Sequence, residues 1–267
     1  MTFFHLFLLA VIQGLTEFLP ISSSGHLILL PGLTGFQDQG QALDVAVHVG
    51  TLFAVILYFR KDAGAAFLGL FHLATGRTGT EAARLAFLLC VATVPVVLLG
   101  LILKVTGISD SLRSVAVIGW TMLGFGIVLY ITDQRGAATR VQTDWTLRQA
   151  IILGLWQALA LIPGTSRSGA TISGARALGY TRYDAAKLSM LMSIPAIIAS
   201  GTYLGIEVAA SANSDALRDG AIAAVLSFAA ALLALTLMMR LLKSVSYTPY
   251  VIYRIFLGAG LLWYAYS

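Results

Sequence analysis

Two short stretches of this sequence carry side chains that could bind an anionic group and move a proton. In the first, Gln13 and Glu17 are four residues apart and share one face of a helix, and Ser22–Ser24 and His26 follow closely. In the second, Arg167 lies between Ser166 and Ser168. Phosphate oxygens accept hydrogen bonds from hydroxyls, free backbone N–H groups and guanidinium groups. Glu and His are usual general acids and bases. Together the stretches predict acid–base chemistry on a phosphate.

Each of these residues also has a structural interpretation. A neutral Glu17 could cap a neighbouring helix, a single serine could cap free N–H groups, and a lone His could be a hydrogen-bonded structural residue. Arg167 could form a structural ion pair with Glu17, which is compatible with a functional role in the empty protein. Asp44 and His48, also four residues apart, could pair with each other or tune the site. Ionisable groups in apolar segments are costly unless paired or wet, so their clustering favours function.

The elements that hold these residues are two long apolar segments, 3–32 and 149–176, each interrupted in its middle. The interruptions run from Pro20 to Gly25 and from Pro163 to Gly169, and such runs of Pro, Ser and Gly unwind a helix. Unwound backbone at membrane depth is tolerated only where it is buried in protein or lines a wet cavity. Both segments are therefore predicted to be re-entrant helix–loop–helix hairpins that enter and leave on the same side.

The composition places the whole chain in a membrane. Of its 267 residues 58% are hydrophobic and only 11% are charged, against roughly 25% charged in soluble proteins. Charge-free stretches approach the roughly 20 residues that cross a bilayer as a helix. The prediction is a single-domain, all-α polytopic membrane protein with six transmembrane helices and two re-entrant hairpins. The six spans are 41–60, 82–103, 114–132, 184–207, 217–240 and 249–266, with an interfacial helix at 63–76.

Two function classes are disfavoured by the same composition. Most basic residues flank apolar segments, so the net charge of +5 indicates membrane topology rather than binding to nucleic acid. Cys90 is the only cysteine, which excludes an intramolecular disulfide and a cysteine-based zinc site.

The two interruptions align with each other at an offset of 144 residues without a gap. The matched pairs are Gln13 with Gln157, Leu15 with Leu159, Ser22 with Ser166, Ser24 with Ser168, and Gly25 with Gly169. Each half, 1–133 and 145–267, then holds one hairpin and three spans. An odd number of crossings inverts the second half, and broken helices at matched positions of an inverted repeat mark a midplane site. Chance similarity of two Ser- and Gly-rich loops is the alternative.

The basic residues also predict the orientation. Thirteen of the 17 lysines and arginines, Arg254 included, fall on the side opposite the N-terminus, and three fall on the N-terminal side. The positive-inside rule makes the richer side cytoplasmic. Both termini and the mouth of the first hairpin should then face the periplasm.

The sequence QGLTEFLPISSSGH at residues 13–26, together with PGTSRSGAT at residues 163–171, resembles the undecaprenyl pyrophosphate phosphatase family, also known for bacitracin resistance. The resemblance extends over nearly the whole chain in length and segment order. It implies a bacterial inner-membrane enzyme that hydrolyses undecaprenyl diphosphate to undecaprenyl phosphate, the lipid carrier for peptidoglycan synthesis. It implies Glu17, Ser23, His26 and Arg167 as catalytic residues, with Ser23 as nucleophile or phosphate ligand. The implied substrate-binding residues are Gln13, Ser22, Ser24, Gly164, Thr165, Ser166, Ser168 and Thr171.

The resemblance also implies help from a divalent cation, Mg²⁺ or Ca²⁺. Many family members carry Glu at the position of Gln13, whereas here only Glu17 can be anionic. A hard cation held by Glu17 would therefore take its other ligands from water and substrate phosphate. The expected partners are the polyprenyl diphosphate and membrane lipids. The oligomeric state, a homodimer included, stays open.

The expected mechanism places the diphosphate between the two hairpin tips while the prenyl tail stays in lipid. Arg167 and backbone N–H groups neutralise the phosphoryl oxygens, and Ser23, activated by His26, attacks the terminal phosphorus. Direct attack by water, with Glu17 or His26 as base, is the alternative. The rival function is a transporter or flippase of an anionic polyprenyl lipid, because broken helices in inverted repeats are also a transporter feature.

Overall fold

The computed structural model describes residues 2–27, 40–209 and 214–267. Within these ranges the regular structure is helical, apart from one isolated β-bridge between Arg140 and Tyr180. Part of the second arm predicted for the first hairpin, residues 28–32, lies outside the described residues. The helical class predicted from the sequence is confirmed.

Twelve α-helices succeed one another in the described ranges, and a short 3₁₀ turn at Gln142–Asp144 precedes the second hairpin. They are α1 (Phe3–Phe18), α2 (Ser23–Leu27), α3 (Gly40–Tyr58), α4 (Arg60–Ala74), α5 (Glu81–Val105), α6 (Ile108–Ser111), α7 (Val115–Arg135), α8 (Leu147–Leu159), α9 (Arg167–Ala177), α10 (Arg182–Ala209), α11 (Ser214–Leu241) and α12 (Thr248–Tyr266).

Four helices of the described chain are long and apolar enough to cross a membrane. They are α5, α7, residues Arg182–Thr202 of α10 and residues Ala216–Leu241 of α11. Helices α3 and α4 meet the criterion as a pair that bends by 98° between Tyr58 and Arg60, which gives a fifth candidate. Four predicted spans thus correspond to helices of spanning length. The predicted spans 41–60 and 249–266 form α3 and α12, and their crossing belongs to the topology proposed below.

Both predicted interruptions separate helices in the structure. Helix α1 ends at Phe18, Leu19 is extended, and α2 begins at Ser23. The cause is local, because a proline at position 20 lacks the N–H of a helix and disfavours the helical conformation of the residue before it. Helix α8 ends at Leu159, and α9 begins at Arg167.

The first arm of each hairpin packs closely against a long helix from the other half of the chain. A Cβ on Gly14 of α1 would lie 2.6 Å from the Cβ of Ala230 on α11, and a Cβ on Gly154 of α8 would lie 2.6 Å from the carbonyl oxygen of Ala92 on α5. Without a hydrophobic driving force between helices in lipid, such small residues allow the close packing that holds them together. The arms are therefore anchored on long helices.

The end of the second hairpin is held by a buried carboxylate. Asp133, at the end of α7, is 1% exposed. It accepts hydrogen bonds from the Arg182 side chain (Nε to Oδ1, 2.7 Å) and from the backbone N–H of Tyr247 (3.2 Å), while Arg176 of α9 donates to the Asp133 carbonyl oxygen (2.8 Å). A buried charge is tolerated when it is paired and hydrogen-bonded. This cluster joins the ends of α7 and α9 to the starts of α10 and α12.

Candidate active site

The centre of the site is the Glu17 carboxylate near the end of α1, whose side chain is 7% exposed. Its Oε1 accepts a hydrogen bond from Arg167 Nη2 at 2.7 Å. Its Oε2 accepts from Gln13 Nε2 at 2.8 Å and from Ser23 Oγ at 3.4 Å. The structure thus brings together the two predicted hairpin tips, and it makes the ion pair that the sequence raised as a structural possibility.

The ion pair leaves part of Arg167 unused. Its Nη1 is buried and has no hydrogen-bond partner among the described residues. An unsatisfied buried donor costs about 1–3 kcal/mol, so a purely structural pair is an incomplete account of this guanidinium. A fork of donors with one free arm suits an acceptor with several oxygens, such as a phosphoryl group.

His48 of α3, which the sequence analysis left open between pairing with Asp44 and tuning the site, lies beside the Glu17 carboxylate. Its Nε2 lies 3.1 Å from Gln13 Nε2 and 3.7 Å from Glu17 Oε2, and its Nδ1 lies 2.6 Å from the Asp44 carbonyl oxygen. Because Nδ1 donates to that carbonyl, Nε2 accepts from the Gln13 amide and the ring is neutral in this arrangement. A histidine inside an apolar segment was the signal that could have found it.

His26 of α2 is held away from Ser23. Its Nδ1 lies 2.7 Å from the Ser22 carbonyl oxygen, and its Nε2 lies 2.5 Å from the Tyr253 hydroxyl of α12. The expected hydrogen bond between Ser23 and His26 is not among those of the described residues, and Ser23 donates to Glu17 instead. The reason is geometric, since the carbonyl of Ser22 and the hydroxyl of Tyr253 occupy both ring nitrogens.

The backbone at the two interruptions is strained at matched positions. Ser22 has φ of 72° and Ser166 has φ of 70°, a region that residues with a side chain seldom adopt. The two local serine pairs also match, because Ser22 and Ser24 have their Oγ atoms 3.1 Å apart, and so do Ser166 and Ser168. Such conformations cost on the order of 1–3 kcal/mol each and cluster at binding and catalytic sites.

The two hairpin tips hydrogen-bond to each other's backbone. Ser168 Oγ donates to the Leu19 carbonyl oxygen at 3.0 Å, and the Gly164 N–H donates to Ser24 Oγ at 3.2 Å. Gly164 has φ of +87°, and a Cβ there would lie 2.2 Å from Thr121 Oγ1 of α7, so glycine is required on both counts. The predicted residues Ser24, Gly164 and Ser168 therefore assemble the tips.

Arg254 of α12 lies at the same place and corrects the sequence analysis, which counted it with the cytoplasmic side. It is 0% exposed. It donates to the carbonyl oxygens of Pro20 at 3.3 Å, Gly164 at 3.1 Å and Met122 at 3.2 Å. The count failed because it assigned each basic residue to the nearer end of its segment, whereas the Pro20 and Gly164 carbonyls of the two interruptions and the Met122 carbonyl of α7 hold this guanidinium inside the protein.

The remaining predicted residues differ in what their hydroxyls contact. Thr165 is fully buried, and its Oγ1 has no hydrogen-bond partner among the described residues. Ser166 caps α9 by accepting from the Gly169 N–H at 3.1 Å. Thr171 lies one turn into α9, and its hydroxyl contacts Ser189 Oγ of α10 at 2.5 Å. Thr165 thus has an unused polar atom, while the hydroxyl of Thr171 already serves helix packing.

The described residues offer few ligands for a metal ion. The described residues contain no group of three or more His, Cys, Asp or Glu that could hold a metal ion. Gln13 Oε1, however, is buried without a hydrogen-bond partner among them, next to the Glu17 carboxylate. An amide oxygen and a carboxylate are hard ligands of the kind that Mg²⁺ and Ca²⁺ prefer. The set fits a cation that takes its remaining ligands from elsewhere.

This arrangement can neutralise a phosphoryl group and accept a proton from a hydroxyl. Comparison with known proteins points the same way. Residues 6–260 match the family described as bacitracin resistance protein BacA. The chain is 68% identical to an undecaprenyl-diphosphatase of Dinoroseobacter shibae and 67% identical to one of Jannaschia sp., over the full length of each. It is 46% identical to an undecaprenyl-diphosphatase of Hahella chejuensis, covering 100% of this chain and 99% of that protein.

Proposed function

The chain belongs to the bacitracin resistance protein BacA family, and from that premise we propose how its residues carry out the reaction. The chain is a bacterial membrane hydrolase with undecaprenyl-diphosphatase activity. It converts undecaprenyl diphosphate and water into undecaprenyl phosphate and inorganic phosphate, which renews the lipid carrier of cell-wall synthesis. The observation that carries the proposal is the shared Glu17 carboxylate, bound at once by Arg167 and Ser23.

Substrate binding begins with an exchange of partners at Arg167. The terminal phosphate enters between the hairpin tips, and its oxygens take the free Nη1 of Arg167 and compete with Glu17 for Nη2. The unused Thr165 hydroxyl is a further donor at the same tip. A guanidinium and a buried hydroxyl in a low-dielectric site stabilise the charge of the phosphoryl transition state more strongly than they would in water.

The same exchange prepares the nucleophile. Once Arg167 turns to the phosphate, Glu17 loses its counter-charge and becomes a stronger base beside the Ser23 hydroxyl, which already donates to it. Ser23 Oγ forms a bond to the terminal phosphorus, its proton passes to Glu17, and the bond from phosphorus to the bridging oxygen breaks to release undecaprenyl phosphate. Water then cleaves the phosphoserine to inorganic phosphate, and His26, the second acid–base residue of the first hairpin, accepts the proton of that water. In the alternative route Glu17 deprotonates a water that attacks phosphorus directly, and trapping of a phosphoserine would distinguish the two.

A divalent cation is compatible with this site, and Glu17 with Gln13 Oε1 would hold it. When bound, it would neutralise phosphoryl charge. The roles proposed for the other residues do not depend on the cation. Gln13 and His48 hold the Glu17 carboxylate in place from the side opposite Arg167.

For the topology we propose the six crossings and two re-entrant hairpins of the inverted repeat, with halves 1–133 and 145–267. The similar φ values of Ser22 and Ser166 and the reciprocal bonds between the tips support it. The bacterial inner membrane, periplasmic termini and a periplasmic opening of the site follow from the basic asymmetry. No step of the proposed chemistry uses a residue from a second copy of the chain, and the homodimer stays open.

The experiment that tests the function is phosphate release from undecaprenyl diphosphate by the purified protein in detergent. Detergent removes the two compartments that a flippase needs, so release there supports the hydrolase. Glu17→Gln should lower kcat by at least about 100-fold, because it removes the base and the partner of Arg167. Glu81→Gln, at the exposed start of α5, is the matched control and should keep wild-type activity. Wild-type turnover by Glu17→Gln would contradict the mechanism.

A further inference from the structure

Tyr253 joins α12 to the first hairpin at a single side chain. Its hydroxyl lies 2.5 Å from His26 Nε2, and the two rings are nearly parallel, with 2° between their planes and centroids 5.6 Å apart. The residues are 227 positions apart, so the contact is tertiary. No motif of the sequence includes Tyr253, and the mechanism described above does not use it.

The hydrogen bonds define what the tyrosine does to the imidazole. His26 Nδ1 faces the Ser22 carbonyl, an acceptor only, and therefore carries a proton. In the neutral ring Nε2 is then the lone-pair nitrogen, and it accepts the Tyr253 O–H. If His26 becomes protonated, Nε2 donates and the same hydroxyl oxygen accepts. The phenol can therefore stay bonded to His26 in both protonation states and fix the orientation of the ring in each.

The backbone of both partners is itself fixed. The carbonyl that holds Nδ1 belongs to Ser22, whose positive φ aims it toward the ring one turn later. Tyr253 precedes Arg254, which is bonded to the Pro20 and Gly164 carbonyl oxygens of the two interruptions. Tyr253 is therefore next in sequence to a residue that is hydrogen-bonded to both hairpin tips. Tyr253 itself lies at the edge of the site and is 43% exposed.

We propose that Tyr253 is a positioning residue of the phosphatase site, which holds His26 in the Nδ1–H form, so that Nε2, bonded to the Tyr253 hydroxyl, is the nitrogen that can take up a proton. This proposal rests on the proposed function. In this role Tyr253 acts through His26 and makes no contact with the reacting phosphorus. A tyrosine of α12 thereby links the last helix of the chain to the catalytic hairpin.

The test is Tyr253→Phe, which removes the hydroxyl and retains the ring against His26. Misplacement of a catalytic group by about an ångström can cost on the order of 100-fold in rate, so kcat should fall about 10- to 100-fold while KM stays within about twofold. Tyr264→Phe, an exposed tyrosine on the same helix, is the matched control and should behave as wild type.

A double-mutant cycle separates positioning from general structural support. In a His26→Ala background, Tyr253→Phe should change kcat less than about twofold, because partners that act as one unit are non-additive. Equal loss in both backgrounds, a rise in KM alone, or wild-type kcat in Tyr253→Phe would each overturn the proposal. Those results would leave detergent phosphate release and the Glu17→Gln loss intact, so failure of the positioning role is distinct from failure of the proposed function.

Discussion

Two charged side chains, Glu17 and Arg167, neutralise each other where the proposed mechanism places the substrate phosphate. Their 2.7 Å contact lets a buried carboxylate and guanidinium persist in an apolar setting, since each alone would be costly. The phosphate is then a competing anion for the guanidinium. Binding of the substrate and exposure of the base are one event in this scheme.

Arg167→Lys should be nearly as damaging as Arg167→Ala. An ammonium is a point charge without the planar fork that can bond Glu17 through one arm and phosphate through the other. We expect kcat/KM to fall at least about 100-fold in both variants, as measured by phosphate release in detergent. Arg148→Lys, at an exposed position in the first turn of α8, is the control. More than about a third of wild-type turnover in Arg167→Lys would count against phosphate binding by the planar guanidinium of Arg167.

Residue types and spacing led to some site residues and missed others. Glu17, Ser23 and Arg167 could be identified because polar groups interrupt apolar segments there, and the structure brings them together. Tyr253 and Arg254 were missed because their partners lie more than 200 positions away in the first hairpin. The role of His48 stayed open because only the fold shows that its Nε2 faces Gln13. Local spacing cannot supply such long-range partners.

The first arm of each hairpin has a glycine where it contacts a long helix. Gly14 on α1 and Gly154 on α8 approach neighbouring helices at distances that leave no room for a methyl group. Glycine at these positions lets each first arm pack closely against the long helix, and each tip then reaches the other half of the chain. The predicted interruptions agreed with the structure to within a few residues, since proline and serine chemistry is local.

Gly14→Ala should destabilise the protein while the control Gly124→Ala should not. The new Cβ of the first would sit 2.6 Å from Ala230 Cβ, whereas nothing lies within 4 Å of a Cβ at Gly124 on α7. Overpacking of this kind costs about 1–3 kcal/mol. The midpoint of thermal unfolding in detergent should fall by several degrees for Gly14→Ala, and equal midpoints for the two variants would refute the close packing of α1.

At the scale of the whole molecule, the two ends of the chain meet around one centre. Helix α1 packs on α11, α8 packs on α5, and α12 reaches the first hairpin through Tyr253 and Arg254. Hydrophobic stretches identified the long helices α5, α7, α10 and α11 in advance. Arg254 interrupts the apolar pattern of α12, and the assembled protein gives the reason, because this buried guanidinium donates to carbonyl oxygens at both interruptions.

Both termini should be periplasmic. Even with Arg254 moved to the protein interior, the basic residues remain strongly biased to one side, and short loops rich in Lys and Arg stay in the cytoplasm. Two reporters fused after Ser267 test this. One that works only in the periplasm should show activity, and one that works only in the cytoplasm should show none. The reverse result would contradict the orientation and the odd number of crossings behind the inverted repeat.

The reciprocal bonds between the hairpin tips have a consequence for how the protein is made. Glu17 precedes Arg167 by 150 residues, a delay of roughly 8 to 30 s at ordinary rates of translation. Throughout that interval the nascent first hairpin lacks the guanidinium, the Ser168 hydroxyl and the Gly164 N–H that complete it. Until the second half inserts, the membrane therefore holds an intermediate in which no guanidinium faces the Glu17 carboxylate.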